Sequence, residues 1–206
     1  MSAPRPHDLL VLRDPGALRF AAAPPAWALA ALRRDALVVV RRARAEDGMI
    51  AVGIRGTARD ERCAAFVAPA AATTRITPEM LARESRWRAN PRREAIPALR
   101  HLTYVEDVLR RWGYRWGPTG SIGFELASGT RAAGPHSDLD IIIRAPRRLD
   151  RGQAARLHDA LAGTDVRTDA LLETPRGAVA LAEYARAAGP VVLRCDDGPR
   201  LVADPW

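Results

Sequence analysis

Asp138 and Asp140 flank a single leucine at the head of SDLDIIIRAP, and three isoleucines follow them. In an extended strand, positions i and i+2 share a face, so the two carboxylates project together while Leu139 faces the core. Asp is a poor strand former, and two carboxylates about 4 Å apart repel by roughly 4 kcal/mol at an effective dielectric near 20. Two readings are open: the pair ends a strand at a solvated rim, or a cation sits between the groups. Mg²⁺ takes one or two protein carboxylates and completes its shell with substrate phosphate oxygens, which is the share this pair can offer.

Further along, DVRTDALLE reads as a second strand whose same-face residues are Asp165, Arg167, Asp169, Leu171 and Glu173. Asp165 and Glu173 fall near its ends, whereas Asp169 sits mid-strand among apolar neighbours. A third carboxylate facing the first two would complete a two-metal site, which clamps the attacking and leaving oxygens of an in-line displacement at phosphorus. Upstream, Gly120-Ser121 opens a helix directly after a strand. Open backbone N–H groups and the helix dipole attract anions there, and glycine lets a phosphate approach closely. Singly, these elements are a solvated turn, a lone acid and an N-cap. In this order they suit nucleotidyl transfer: attack on the α-phosphate of a triphosphate, with pyrophosphate leaving.

The elements that must position these residues are legible from periodicity. PALRHLTYVEDVLRRWG spaces Leu99, Leu102, Val105, Val108 and Leu109 along one helical face and stops at Gly113. YRWGPTG is a short strand and turn. SIGFELASG is a short helix with Ser121 placed to cap it and Gly129 to end it. DLDIIIR is a strand ending before Pro146. DRGQAARLHDALAG is a helix with Asp150 at its N-cap and Gly163 as stop. TPRGAVALAEYARAAG reads as a helix with Thr174 as cap and Pro175 at N1. PVVLRCDDGPRLVAD closes as a hairpin around Asp197-Gly198.

Residues 1–80 carry a different pattern. ALVVVRRARAEDGMIAVGIRG gives two strands around an Asp47-Gly48 turn, CAAFVAP a further strand, and PAWALAALRR one helix. Residues 81–97, dense in Arg and holding Asn90-Pro91 and Pro97, read as a connecting segment before a second domain over 98–206. The whole is an α+β (α/β-like) chain: a small N-terminal β-rich domain, then a domain of short alternating helices and strands.

Composition narrows the function. With 206 residues and 48% hydrophobic content, the chain is neither disordered nor fibrous. The formal charge of +8 suits a polyanionic partner, yet all 32 basic residues are Arg, which a genome-wide codon bias would also produce. Cys63 and Cys195 lack other Cys or His at metal-ligand spacing, which argues against a zinc site and a disulfide framework and favours two buried, unreactive thiols. No secretory signal pattern opens the chain, and FAAAPPAWALAALRR is too short and too Pro-broken to span a bilayer, so the expected location is the cytoplasm.

TGSIGFELASG followed by HSDLDIIIR resembles the nucleotidyltransferase superfamily pattern of Gly-Ser, then Asp-hydrophobic-Asp. Nearly end to end, from PRPHDLLVL through SDLDIIIRAP and DALLETPRGAVALAEYAR to GPRLVADPW, the chain resembles the phosphoribosyl-dephospho-CoA transferases of malonate decarboxylase, also called its holo-acyl-carrier-protein synthases. GFELASG and ETPRGAVALAEYAR are the more specific strings; the family favours Thr where this chain has Ser128, which keeps the hydroxyl. The resemblance implies a nucleotidyltransferase-like second domain built on a mixed sheet. It also implies transfer of a phosphoribosyl-dephospho-CoA prosthetic group from triphosphoribosyl-dephospho-CoA to a serine of the decarboxylase acyl-carrier subunit. Asp138 and Asp140 would hold Mg²⁺, Gly120 and Ser121 the triphosphate, and Asp169 would be a metal ligand or the general base. Arg131 and His136, in the loop between the Gly-Ser helix and the Asp-x-Asp strand, are candidate substrate contacts, with local loop bonding the alternative for His136. The cluster Arg83, Arg86, Arg88, Arg92 and Arg93 is either a solvated segment or a docking face for an acidic carrier, and Trp87 in its midst favours docking.

Two other functions compete. One keeps the chemistry but uses ATP to modify another protein or a small molecule. The other is a non-catalytic Arg-rich nucleic-acid-binding module, against which the repelling carboxylates beside a phosphate site speak.

Overall fold

LLVL at Leu9–Leu12 is an uninterrupted apolar run, and it becomes a strand (β1) pairing on both edges in an antiparallel sheet. The computed structural model describes residues 3–45, 48–58, 60–163 and 165–206, and the chain divides into two compact units, 1–77 and 78–206. In the first unit β1 is followed by a helix (α1, Ala26–Asp35) and strands β2 (Leu37–Val40), β3 (Ile50–Arg55), β4 (Arg62–Val67) and β5 (Ala72–Ile76). Their order is β4-β3-β2-β1-β5, all antiparallel. Ala28, Ala31 and Leu32 recur at helical spacing on α1 and join Leu10, Val38, Val52 and Ile54 in one core. The β2–β3 pair and β4 match the sequence expectation, whereas β1 and β5 were not anticipated. The expected turn residue Asp47 lies outside the described residues. Both cysteines are free and half-buried rather than buried, and burial pushes the Cys63 thiol pKa up, away from reactivity.

The second unit runs α2 (Pro78–Glu84), α3 (Pro97–Trp112), β6 (Arg115–Pro118), α4 (Gly120–Ser128), β7 (Leu139–Arg144), α5 (Arg151–Leu161), β8 (Thr168–Thr174), β9 (Gly177–Ala180), α6 (Leu181–Arg186), β10 (Val191–Cys195) and β11 (Gly198–Val202). The six strands form one mixed sheet in the order β11-β10-β9-β8-β7-β6, in which β7 and β8 are parallel and the other pairs antiparallel. A parallel pair needs a crossover, supplied by α5, whose start is fixed by a reciprocal capping box between Asp150 and Gln153. The α+β expectation with a mixed second sheet therefore holds.

Several local expectations change. Residues 78–97 belong to the second unit and contribute to its core: Leu81, Trp87 and Ile96 are buried. Trp87 stacks obliquely against Trp116 and donates from Nε1 to the Thr103 hydroxyl, so it is not a surface docking residue. Gly117 lies so close to α2 that a Cβ would come within 1.9 Å of the Pro78 carbonyl oxygen. Arg144, buried on β7, donates from Nε to Glu79 of α2 at 2.6 Å. The helix expected from Thr174 begins only at Leu181. Thr174 ends β8, Pro175-Arg176 form a two-residue turn, and Gly177–Ala180 return as β9. The Thr174 hydroxyl accepts from the Arg176 N–H and bonds the Pro205 carbonyl, holding the hairpin shape that a helical cap would not allow.

His101 is buried on α3, stacks on Tyr104 and bonds the backbone of Leu161 on α5. Burial lowers its pKa below the ordinary 6.5, against a smaller opposing effect of the Leu161 bond. The folded state therefore disfavours the imidazolium: this share of stability is complete above the unfolded value and is lost as pH falls below about 6.5. Urea unfolding at pH 7 and pH 5.5 should show wild type losing stability and His101→Gln losing less; equal losses would exclude His101 as the source.

Candidate active site

Helix α4 begins where β6 turns back over β7. The Thr119 N–H donates to the Asp140 carbonyl at 2.9 Å, and Gly123 N–H closes on the Thr119 carbonyl at 2.8 Å. Thr119, not Ser121, is thus the N-cap, and its side chain makes no capping bond; Ser121 is already helical. The N–H groups of residues 120–122 precede the first intrahelical bond and are the orphan donors of the helix start. Gly120 has φ +59°, and a Cβ there would lie 1.9 Å from Asp140 Oδ2. The helix start and the Asp140 carboxylate are therefore in contact, an approach only glycine permits. Gly129 ends the helix in the left-handed conformation, as expected, and the Ser128 hydroxyl donates to the Phe124 carbonyl and accepts from Thr130 N–H.

Parallel register places Asp140 directly opposite Asp169, followed by Ile142 opposite Leu171 and Arg144 opposite Glu173. These residues share one face of the sheet. Asp138 stands one residue before β7, half-buried, where Leu139 N–H donates to the Arg167 carbonyl. Asp169 accepts from Arg167 Nε at 3.2 Å, with both side chains substantially exposed. Arg131 and His136 are exposed on the α4–β7 loop, His136 within a turn in which the Ser137 hydroxyl accepts from Gly134 N–H.

The expected three-acid metal cluster is not assembled: among the described residues no three His, Cys, Asp or Glu side chains are placed to hold a metal ion. Bare carboxylates repel, and Arg167 already engages Asp169. What remains is the Asp138/Asp140 pair beside an open helix start. That donor set fits Mg²⁺, which needs few protein ligands when phosphates supply the rest.

Two residues organise the surroundings: Glu125, which sequence reasoning did not single out, and Arg92, which it gave only as one of the Arg cluster. Glu125, on α4, is 3% exposed, and Arg92 Nη1 lies 2.8 Å from each of its carboxylate oxygens. Glu125 Oε2 also accepts the N–H groups of Ala132 and Ala133, both at 2.9 Å, while Arg92 Nη2 donates to the Ala133 carbonyl. The signal available in sequence was an acid inside the apolar run IGFELA. The rest of the Arg cluster is largely paired locally, Arg86 with Glu84, Arg88 with Glu106 and Arg93 with Glu94.

Comparison with known proteins gives the class first: the chain is a transferase. Residues 5–78 match the phosphoribosyl-dephospho-CoA transferase MdcG N-terminal domain, and residues 81–205 match the C-terminal domain of the same family. The chain is 44% identical over 208 residues to a phosphoribosyl-dephospho-CoA transferase of Azotobacter vinelandii, covering 98% of this chain and 94% of that one. It is likewise 44% identical to one from Pseudomonas putida (100% and 97% covered) and 41% identical to one from Pseudomonas aeruginosa (100% and 95%). No solved structure matches. The chain belongs to the phosphoribosyl-dephospho-CoA transferase family. Among the described residues no helix is long and apolar enough to cross a membrane.

Because Gly120 touches Asp140, a methyl group there must push the carboxylate or the helix start aside. Gly120→Ala should lower transferase turnover by about a hundredfold, the usual cost of misplacing reacting groups by an ångström. Far-UV circular dichroism should stay native-like, and near-wild-type turnover would show that this contact does not matter.

Proposed function

We propose that this enzyme transfers the phosphoribosyl-dephospho-CoA group from triphosphoribosyl-dephospho-CoA to a serine of the malonate decarboxylase acyl-carrier subunit. The observation that carries the reading is the contact between the uncapped start of α4 and Asp140, within a chain that matches this family over nearly its whole length. The N–H groups at Gly120 and Ser121 bind the triphosphate, where orphan donors and the helix dipole favour negative charge. Arg131 contacts phosphate from the adjoining loop, and His136 borders the same site. Asp138 and Asp140 would hold Mg²⁺, which when bound would neutralise triphosphate charge and polarise the phosphorus under attack.

An alcohol is a weak nucleophile until a base takes its proton. In this reading Asp169, opposite Asp140 and partly exposed, acts as that base toward a serine presented from solvent, once it is released from Arg167. The serine oxygen forms a new bond to the α-phosphorus, the bond from that phosphorus to the bridging oxygen breaks, and pyrophosphate leaves with the electron pair. The product is a phosphodiester between the carrier serine and the prosthetic group.

The test is the intact mass of an apo acyl-carrier subunit after incubation with enzyme, Mg²⁺ and triphosphoribosyl-dephospho-CoA. The expected gain equals the donor minus pyrophosphate, is removed by EDTA, and falls at least a hundredfold in rate with Asp138→Ala. A gain of AMP size with ATP as donor, and none with the CoA derivative, would overturn the donor assignment.

A further inference from the structure

We propose that Glu125 and Arg92 are positioning residues for the reaction, acting through the loop that delivers Asp138. The proposal rests on the reading that Asp138 belongs to the active site.

Glu125 lies five residues beyond Gly120 on the same short helix, whose start touches Asp140. Its carboxylate is buried and receives four hydrogen bonds: two from Arg92 Nη1 and one each from the consecutive N–H groups of Ala132 and Ala133. Two successive backbone N–H groups aimed at one oxygen form an anion nest, here filled by an internal carboxylate. Arg92 closes the ring by donating from Nη2 to the Ala133 carbonyl. The clamp therefore holds Ala133 by both its N–H and its carbonyl.

From that point the chain reaches Asp138 with little slack. Gly134 and Ser137 are cross-bonded, the Gly134 N–H to the serine hydroxyl at 2.9 Å and the Ser137 N–H to the Gly134 carbonyl at 3.1 Å. Leu139 N–H then enters the sheet on the Arg167 carbonyl. Asp138 is thus fixed between a pinned turn and the first sheet bond, while Asp140 is fixed within the β7–β8 pairing and against the start of α4. The clamp sets the spacing of one carboxylate relative to the other, which decides whether both oxygens can serve one cation.

Glu125→Gln tests this with nearly unchanged volume: an amide cannot accept from all four donors, and its NH₂ opposes them. Arg92→Lys, which keeps the charge but not the fork, is the second variant in case the first does not fold. Three readouts are taken together. Deuterium exchange in peptides spanning 130–138 should speed up at least tenfold, with β7 and β8 still protected. The Mg²⁺ concentration for half-maximal activity should rise at least fivefold. Turnover should fall ten- to a hundredfold while KM for the CoA donor changes less than threefold. In an Asp138→Asn background, Glu125→Gln should add less than a threefold further loss, since its effect passes through Asp138. Unchanged exchange, an unchanged Mg²⁺ requirement, or a full additive loss in that background would each overturn the clamp. If Asp138→Asn alone is fully active, it is the active-site assignment that fails, and this is read before the Glu125 variants are compared.

Discussion

The acid end of the second unit depends on pairing β7 with β8 in parallel. Both strands carry their aspartates near their beginnings, Asp138 and Asp140 at one and Asp169 at the other. Antiparallel pairing would send these beginnings to opposite edges of the sheet. Parallel pairing in the observed register puts Asp140 across from Asp169 and leaves the hydrophobic middle, Ile141 to Ile143 against Ala170 to Leu172, to hold the strands together. The requirement then passes to the crossover: α5 must leave from the far end of β7 and return the chain to the start of β8. Its Asp150–Gln153 capping box and the Tyr184 hydroxyl on the Leu149 carbonyl fix where that return begins.

A second constraint is the closeness of backbone to neighbouring groups along β6 and its turn into α4. Gly117 leaves room for the Pro78 carbonyl, and Gly120 leaves room for the Asp140 carboxylate. With side chains at these positions, α2 could not lie against β6 and the open end of α4 could not reach the acid. The contact places the helix start and a carboxylate in direct proximity, an arrangement that the helix dipole favours. The glycines are therefore geometric requirements of the site as much as of the fold.

Strong periodicity and clear stop signals made α1, α3, β7 and the closing hairpin legible in the sequence. The candidate-site residues stood out for a similar reason: Asp-x-Asp before an isoleucine run and Gly-Ser after a short strand conflict with ordinary local preferences, and such conflicts single out candidates for function. Long-range competition hid the rest. GAVA at 177–180 is disguised by the Thr174-Pro175 pair before it, which imitates a helix start, and by helical LAEYAR after it, yet it fills the gap between β8 and β10. LLVL and ATTRI are short runs whose partners lie far away in sequence. Residues 81–97 looked like a linker because Arg and Pro dominate them, while burial of Leu81, Trp87 and Ile96 decides where they lie.

The arginines show why charge alone was a poor guide. Arg92 grips a carboxylate and a carbonyl at once, Arg144 anchors α2 to the sheet, Arg151 bonds the Ala187 and Gly189 carbonyls, and Arg176 reaches the Asp204 carbonyl. Arg92 and Arg151 use both terminal nitrogens of the planar fork to hold acceptors in one fixed geometry, which a lysine ammonium does not reproduce. These contacts hold loops and chain segments in place, which is a structural use of positive charge, as is the pairing of Arg86, Arg88 and Arg93 with glutamates. Arg131 differs: it is exposed, on the loop that Glu125 pins, and lies between the helix carrying Gly120 and the strand carrying Asp140. On the function proposed above, a cation there would meet a polyanionic donor through its location on a fixed loop, a specificity that the net charge of +8 does not express.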